Sequence, residues 1–304
     1  MGFEWWQVLL ILVAGLWAGT INTIVGSGTL VTFPVLVTLG VPPVTASMSN
    51  AMGLIAGNLT GAWSYRSELR GLRRTLLRLL PCSVVGGVIG AWLLLHLPEE
   101  VFDVVAPALI VVALLFVVFQ PRLQAAVRAR KERQSTAAGA PGSAAGSVGA
   151  SGSAGAAGSA GDAALPARTG TAASAPAAQE DGARQPVVLY VLVFLAGIYG
   201  GYFVAAQGVL LVGILGVFLL APLQSSNAVK NVLVAAVNIV AALSYVLLAS
   251  DRINWWVVLL IAVSSTVGSW LGAKIGKKLS PVALRTVIVV LGLVALANMV
   301  TKFF

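Results

Sequence analysis

Long apolar runs, separated by short polar stretches, fill the two ends of the chain. A membrane-spanning helix needs about 20 apolar residues, and the first part of the chain offers four such runs, at 5–25, 44–65, 76–97 and 101–119. A shorter run, 28–39, lies between the first two. After a polar middle, the pattern returns at 187–206, 208–220, 225–249, 255–276 and 281–303. The pattern predicts an all-α polytopic membrane protein whose short runs either complete a crossing or re-enter.

The stretch from Gly19 to Tyr65 combines apolar character with repeated interruptions by glycine and proline. Its polar residues are uncharged, among them Asn22, Ser27 and Asn50. Irregular backbone at membrane depth is tolerated only where it is buried in protein or lines a cavity. We therefore expect broken or re-entrant helices here, forming half of a solute pathway.

Residues 134–186 have a different composition, dominated by alanine, glycine, serine and proline. Such a segment cannot bury enough apolar surface to offset the entropy lost on ordering. We predict a disordered linker that joins a first membrane repeat, 1–133, to a second, 187–304.

The two ends resemble each other in sequence. The run AGTINTIVGSGTLVTFPVLV resembles AGIYGGYFVAAQGVLLVGILG, and GVPPVTASMSN resembles APLQSSNAVKN. Further pairs follow in the same order: Gly19 with Gly197, Gly28 near Gly208, Asn50 with Asn231, Tyr65 with Tyr245, and Gly86 and Gly90 with Gly268 and Gly272. The order of these matches predicts an internal duplication.

Equivalent loops of the two repeats show opposite charge bias: the loop with Glu99, Glu100 and Asp103 is acidic, whereas its counterpart near Lys274, Lys277 and Lys278 is basic. Loop 66–78 holds five arginines against Glu68, whereas its counterpart at 250–254 holds only Asp251 and Arg252. Basic loops are typically cytoplasmic. The bias predicts two inverted-topology repeats of about five hydrophobic segments each, as in many secondary transporters. It also places the N-terminus outside and the linker in the cytoplasm.

Composition excludes several classes of function. The chain is 58% hydrophobic and 10% charged, with a mean hydropathy of +0.94, whereas soluble domains carry about 25% charged residues. The net charge is +9, but the sequence has no aromatic and basic platform for nucleic acid. One histidine, His96, and one cysteine, Cys82, cannot form a His/Cys metal cluster. A Ser-His-Asp triad would have to use His96, and no nucleophile motif accompanies it. We expect no catalytic residue, no metal and no cofactor, and hence not an enzyme.

Lys230 is the main charged residue within a predicted span. Charged groups at membrane depth are functional candidates, although Lys230 could instead snorkel to the membrane surface. Asn227 and Asn231 share its helix face, and Asn50 is the counterpart of Asn231 in the first repeat. With the helix N-termini expected at the breaks, Lys230 would favour an anion. The full candidate binding set is Asn50, Asn231, Lys230, Asn227, Ser27, Gln207, Gly26, Gly28, Gly208 and Asn22.

Small residues recur at every fourth position in many of the predicted helices, as at Gly86 and Gly90 or Gly268 and Gly272. Such spacing lets membrane helices approach closely. We expect these residues to pack helices within one chain; a homodimer face is the alternative.

Several motifs resemble those of a known family. Gly19, Gly26 and Gly28 are followed by Pro34, by GVPP at 40–43 and by A-S-x-S-N at 46–50, and NAVKNVLVAAVNIVAALSY at 227–245 is similar to the second repeat of the same family. The chain resembles the TauE/SafE sulfite exporters. The resemblance implies a secondary transporter of a small anion, sulfite or an organosulfonate, acting by alternating access in the bacterial inner membrane, with the lipid bilayer and the anion as partners. The alternatives are a transporter of another small solute and a non-transporting scaffold or assembly subunit.

Overall fold

The computed structural model describes residues 3–69, 71–138, 185–205, 207–219 and 223–275, together with 286, 288–290, 292–294 and 296–297. Within these residues the chain forms helices and short turns, without a strand. In chain order the helices are α1 (Trp5–Ile24), α2 (Thr29–Thr38), α3 (Pro43–Ser64), α4 (Arg73–His96), α5 (Glu99–Ala138), α6 (Val187–Tyr202), α7 (Gln207–Phe218), α8 (Leu223–Leu248) and α9 (Trp255–Ile275). The predicted all-helical class is confirmed.

Among the described residues, five stretches are long and apolar enough to cross a membrane: Trp5–Ile24, Arg73–His96, Glu99–Phe119, Gln224–Leu248 and Trp255–Ile275. Three further apolar helices, α2, α6 and α7, are shorter. Most of the predicted linker, 139–184, and much of the predicted last segment, 281–303, lie outside the described residues. The first five residues assigned to the linker belong to α5.

Two breaks in the helices each contain a residue in the left-handed region of backbone space. Between α1 and α2, Gly26 has φ +95°, which glycine adopts at little steric cost. Between α6 and α7, Val204 has φ +64°, a conformation that is costly for a β-branched residue. The Ala205 amide donates to the Phe203 carbonyl at 2.7 Å across Val204, so the chain reverses there in a three-residue turn.

After its break, α2 runs back alongside α1. A Cβ placed on Gly28 would lie 2.2 Å from the Ala18 carbonyl oxygen, so the start of α2 packs directly on the last turns of α1. The chain after α2, at Gly40 and Val41, lines the same cavity as Phe3, which precedes α1. The two helices therefore form an antiparallel hairpin whose ends lie together.

Helices α1, α3 and α9 form one bundle and run in the same direction. Along α1, Gly15 contacts Ser264 and Thr20 contacts Gly272, so both helices advance together. Helix α3 advances along α9 in the same way, since its Gly53 contacts Ile261 and its Gly57 contacts Ser265. These small residues let the backbones approach closely, as expected from their spacing.

Helices α4, α6 and α8 form a second parallel bundle. A Cβ on Gly86 would meet the carbonyl of Phe194, and one on Gly90 would meet that of Ile198, so α4 and α6 advance together. Helix α8 runs the same way, because Ser225 at its start bonds to Glu68, which precedes α4, and Val237 lies against Gly87 in the middle of α4.

The two bundles run in opposite directions, which defines two ends of the molecule. The segment 66–69 after α3 meets the start of α8, where the Ser225 hydroxyl donates to the Glu68 carboxylate at 3.5 Å. We call this the arginine end, since it carries Arg66, Arg73, Arg74 and Arg78. At the other end, Arg252 pairs with Glu99 at 3.4 Å; this acidic end carries Glu4, Glu99, Glu100 and Asp251. Consequently α3 and α8 lie antiparallel.

The largest apolar core joins residues from both halves of the chain. At its centre, the Phe203 ring packs edge-on against Phe33 at 5.4 Å between centroids and lies 5.9 Å from Phe102. Phe203 precedes Val204 at the second break. Packing around this ring holds the strained turn in place and buries the break.

Candidate solute-binding site

Lys230 points into the protein. Its side chain is 1% exposed, and its Nζ donates a 2.7 Å hydrogen bond to the main-chain carbonyl of Asn22. Asn22 belongs to the last turn of α1, where unpaired carbonyls give the helix a partial negative charge that favours a cation. Lys230 thus caps α1 from the other half of the chain and does not snorkel to the surface.

Asn22 also forms a hydrogen bond through its side chain. Its Nδ2 donates to Oδ1 of Asn58 on α3. Eight residues earlier on α3, Oδ1 of Asn50 accepts a hydrogen bond from the hydroxyl of Thr32 on α2. Oδ1 of Asn50 and of Asn58 thus each accept one bond, whereas Nδ2 of each is buried without a hydrogen-bond partner among the described residues.

Helix α8 presents further buried amides. A Cβ on Gly61 would lie 3.2 Å from Nδ2 of Asn231 and 3.2 Å from the hydroxyl of Thr23, so Asn231 reaches across to α3. Within the described residues, partners are missing for Nδ2 of Asn231, for Oδ1 of Asn227 and for both amide atoms of Asn238.

The two helix breaks meet each other. A Cβ on Gly26 would lie 2.6 Å from the carbonyl carbon of Gly208, so only glycines fit this crossing. Beside it, the Gln207 side chain packs against Gly200. The buried hydroxyl of Ser27 and both amide atoms of Gln207 have no partner in the described part of the chain.

The structure brings some of the predicted residues together and leaves others apart. Lys230 and Asn22 are in contact, and so are Gly26 and Gly208. Asn50 is eight residues from Asn58 along α3, about 12 Å at 1.5 Å per residue, and lies nearer the acidic end. Gly28 packs on α1.

Thr32, Asn58 and Asn238 are buried as well, but sequence reasoning did not place them in the candidate binding set. A signal existed for the two asparagines. Asn58 follows Asn50 by eight residues and Asn238 follows Asn231 by seven, spacings that keep residues near one face of a helix.

Among the described residues, Lys230 is the one charged side chain in the buried polar set, which otherwise consists of threonine, serine, asparagine and glutamine. The same residues contain no group of His, Cys, Asp or Glu that could hold a metal ion. The interior thus offers a positive charge and neutral hydrogen-bonding groups.

A cavity of about 480 Å³ opens at the acidic end. It lies between the starts of α1, α3 and α9, and its lining includes Pro42, Thr45, Arg252 and Asn254. Asp251 and Arg252 both line it, so the two charged side chains of the lining have opposite sign, and the helix N-termini add unpaired N–H groups.

The sequence model of the family described as "Sulfite exporter TauE/SafE" matches residues 11–299. The chain belongs to the TauE/SafE family. This family of membrane transporters accounts for the apolar helices, and it indicates a transport protein rather than an enzyme.

A "Probable membrane transporter protein ORF9" from Sinorhizobium sp is 27% identical to the TauE/SafE chain over 111 residues, which are 36% of this chain and 42% of the relative. The match thus spans less than half of the relative. No solved structure matches the chain.

Proposed function

We propose that this TauE/SafE protein is a secondary transporter of a small oxyanion, sulfite or an organosulfonate, in the bacterial inner membrane. One observation carries the choice of an anion. The buried amide nitrogens of Asn50, Asn58 and Asn231 have no partner among the described residues, and they accompany Lys230, the one buried charge in that part of the chain.

The chemistry of these groups favours an anion over a cation. Amide N–H groups and an ammonium donate hydrogen bonds, and the oxygens of an oxyanion accept them. Among the described residues, unpartnered amide oxygens are also present, at Asn227, Asn238 and Gln207. The choice of an anion therefore depends on the charge of Lys230, which would repel a cation. Oδ1 of Asn50 and of Asn58 each already accept one bond, from Thr32 and Asn22. An anion would meet free donors without having to break these bonds.

We also propose that the two halves are inverted-topology repeats. The bounds of the helices support this, because adding 178 to the end of α1 (Ile24) and the start of α2 (Thr29) gives the end of α6 (Tyr202) and the start of α7 (Gln207). The opposed directions of the two three-helix bundles support it as well. The arginine end then faces the cytoplasm, with the linker, and the N-terminus lies outside.

Such repeats support alternating access, in which one half rocks against the other around a central site. Lys230 is suited to link binding with movement, since it joins α8 to the end of α1. An anion that binds Lys230 would compete with the Asn22 carbonyl, and the contact between the halves would loosen.

The test is uptake of radiolabelled sulfite by proteoliposomes that contain the purified protein. The Lys230→Ala variant should lose uptake by about 10- to 100-fold, as expected for a lost charged hydrogen bond of about 1.5–3 kcal/mol. Lys274→Ala is a matched control, because Lys274 stacks on the exposed Trp270 at 3.7 Å and should not affect the solute.

Wild-type uptake that saturates, with loss only in Lys230→Ala, supports the proposal. Uptake equal to that of empty liposomes for sulfite and for a panel of sulfonates would overturn it. Absence of solute-dependent thermal stabilisation, together with copurification of a partner, would instead support the scaffold alternative.

A further inference from the structure

We propose that the solute crosses the protein along the seam between α3 and α8, with Asn238 as the solute-contacting residue at its middle. This inference rests on the proposed transport function and specifies the path and a residue that determines specificity. The seam is the interface between the two antiparallel helices.

Polar side chains line both sides of this seam from end to end. On α3 and α8 the buried or half-buried members are Ser47, Asn50 and Asn58, and Asn227, Asn231 and Asn238. The contact of Gly61 with Asn231 fixes how the two helices align. Because the helices run in opposite directions, Asn238 lies level with the middle of α3, between Asn50 and Asn58.

Contacts between the helices do not satisfy all the hydrogen-bonding groups of the seam. Each of these six side chains has at least one buried polar atom without a partner among the described residues. A buried polar group left unpaired costs about 1–3 kcal/mol, and asparagines that only held helices together would bond across the interface. Six such groups along one interface are better explained by water and solute that bind there.

Asn238 is the strongest case. It is fully buried, and neither its Nδ2 nor its Oδ1 has a partner in the described part of the chain. It follows Asn231 by seven residues, two helical turns, and so presents the same face toward α3. Its Nδ2 can donate to an oxyanion, and its Oδ1 can accept from water that accompanies the anion.

The crossing of the two breaks is a poor alternative path. Gly26 and Gly208 touch through their backbones, and not even a methyl group fits between them. The crossing therefore braces the two halves beside the seam and leaves no gap for a solute.

The test uses single cysteines in a Cys82→Ser background, since Cys82 is the sole native thiol. The variants Ser47→Cys and Asn238→Cys place a thiol on the seam. The control, Ser83→Cys, replaces another fully buried serine whose hydroxyl lacks a partner among the described residues, but at the α4–α6 interface. Ser47→Cys and Ser83→Cys are the same near-isosteric change, which keeps the test valid if Asn238→Cys does not fold.

The proteoliposomes are treated with two membrane-impermeant methanethiosulfonates, an anionic sulfonatoethyl and a cationic trimethylammonioethyl reagent. We expect both seam variants to be modified and Ser83→Cys to stay unmodified. Relative to the reaction of each reagent with a free thiol, the anionic one should react about tenfold faster at Asn238→Cys, which lies eight residues, about 12 Å, from Lys230 along α8, because an opposite charge attracts it in a medium of reduced dielectric. An organosulfonate, which unlike sulfite does not react with methanethiosulfonates or disulfides, should slow the modification.

Seam thiols that stay unmodified, or that react no faster than Ser83→Cys, would overturn the seam as the path. Sulfite uptake by wild-type protein in the same vesicles separates this failure from failure of the proposed function. If wild-type protein takes up sulfite but the seam thiols do not react, the transport function stands and the proposed path is wrong. If the seam thiols react but sulfite is not taken up, the path stands and sulfite is not the solute.

Discussion

The glycine crossing between the two breaks can be tested by substituting alanine at Gly26. Two separate costs are expected at this position. Gly26 has φ +95°, and a non-glycine residue in left-handed backbone costs about 1–2 kcal/mol. Its Cβ would also lie 2.6 Å from the Gly208 backbone, and such overpacking typically costs about 1–3 kcal/mol. Together, Gly26→Ala should destabilise the protein by about 2–5 kcal/mol.

Two matched variants separate these costs. Gly40 also has a positive φ, +86°, but a Cβ placed on it meets nothing within 4 Å. Gly40→Ala should therefore show the conformational cost alone, about 1–2 kcal/mol. Gly208→Ala should show the steric cost, reduced by the roughly 0.5–1 kcal/mol that alanine gains over glycine in a helix. The double variant Gly26→Ala, Gly208→Ala should be destabilised by less than the sum of the two single variants. Both methyl groups push apart the same backbone contact, so the second adds less once the first has opened it.

The assay is reversible unfolding in mixed detergent–SDS micelles, followed by tryptophan fluorescence. The expected order of destabilisation is Gly26→Ala first, with Gly40→Ala and Gly208→Ala each clearly milder. If Gly26→Ala were no more destabilising than Gly40→Ala, the backbones would not be in tight contact, and the argument that the crossing braces the two halves would fail.

Three further predictions follow from contacts of the buried set and of the surface. Asn58→Ala removes the acceptor for Asn22 and should lower the free energy of unfolding by about 1–3 kcal/mol, measured by the same SDS titration; an unchanged midpoint would contradict the buried pair. Gly61→Ala adds a methyl group 3.2 Å from Asn231 Nδ2 and should raise the KM for the anion with little loss of stability, as measured by uptake at varied concentrations. Arg252→Ala breaks an exposed ion pair and should change stability by less than about 1 kcal/mol, so a large loss in the same titration would show that the ion pair holds the acidic end together.

The helices were largely predictable from the sequence. The predicted apolar runs 5–25 and 28–39 match α1 (Trp5–Ile24) and α2 (Thr29–Thr38), so they locate the first break. The second break was placed less well, since the run 187–206 includes the turn at Val204. Glycine signals a left-handed backbone position in a sequence, whereas valine at such a position gives no local signal.

The site was less predictable because it depends on contacts distant in sequence. Lys230 contacts Asn22 across 208 positions of the chain, and its position near a helix start suits snorkelling equally well. The contact of Gly26 with Gly208 also cannot be read from either repeat alone. Asn58 and Asn238 were missed for another reason. Their helical spacing was visible, but an asparagine in a membrane helix can equally serve to hydrogen-bond neighbouring helices together.

Val204 adds backbone strain to the break of the second proposed repeat, whereas glycine at the break of the first carries little strain. It occupies the position that corresponds to Gly26 at an offset of 178 residues, and its left-handed backbone stores about 1–3 kcal/mol. In a symmetric pair of repeats, the inward-open and outward-open states would have equal free energy. Strain confined to one break removes that equality, and if movement of the second break releases it, each 1.4 kcal/mol shifts the populations tenfold. Without solute, the carrier would then be found mainly in one of the two states, with its site open to one side of the membrane.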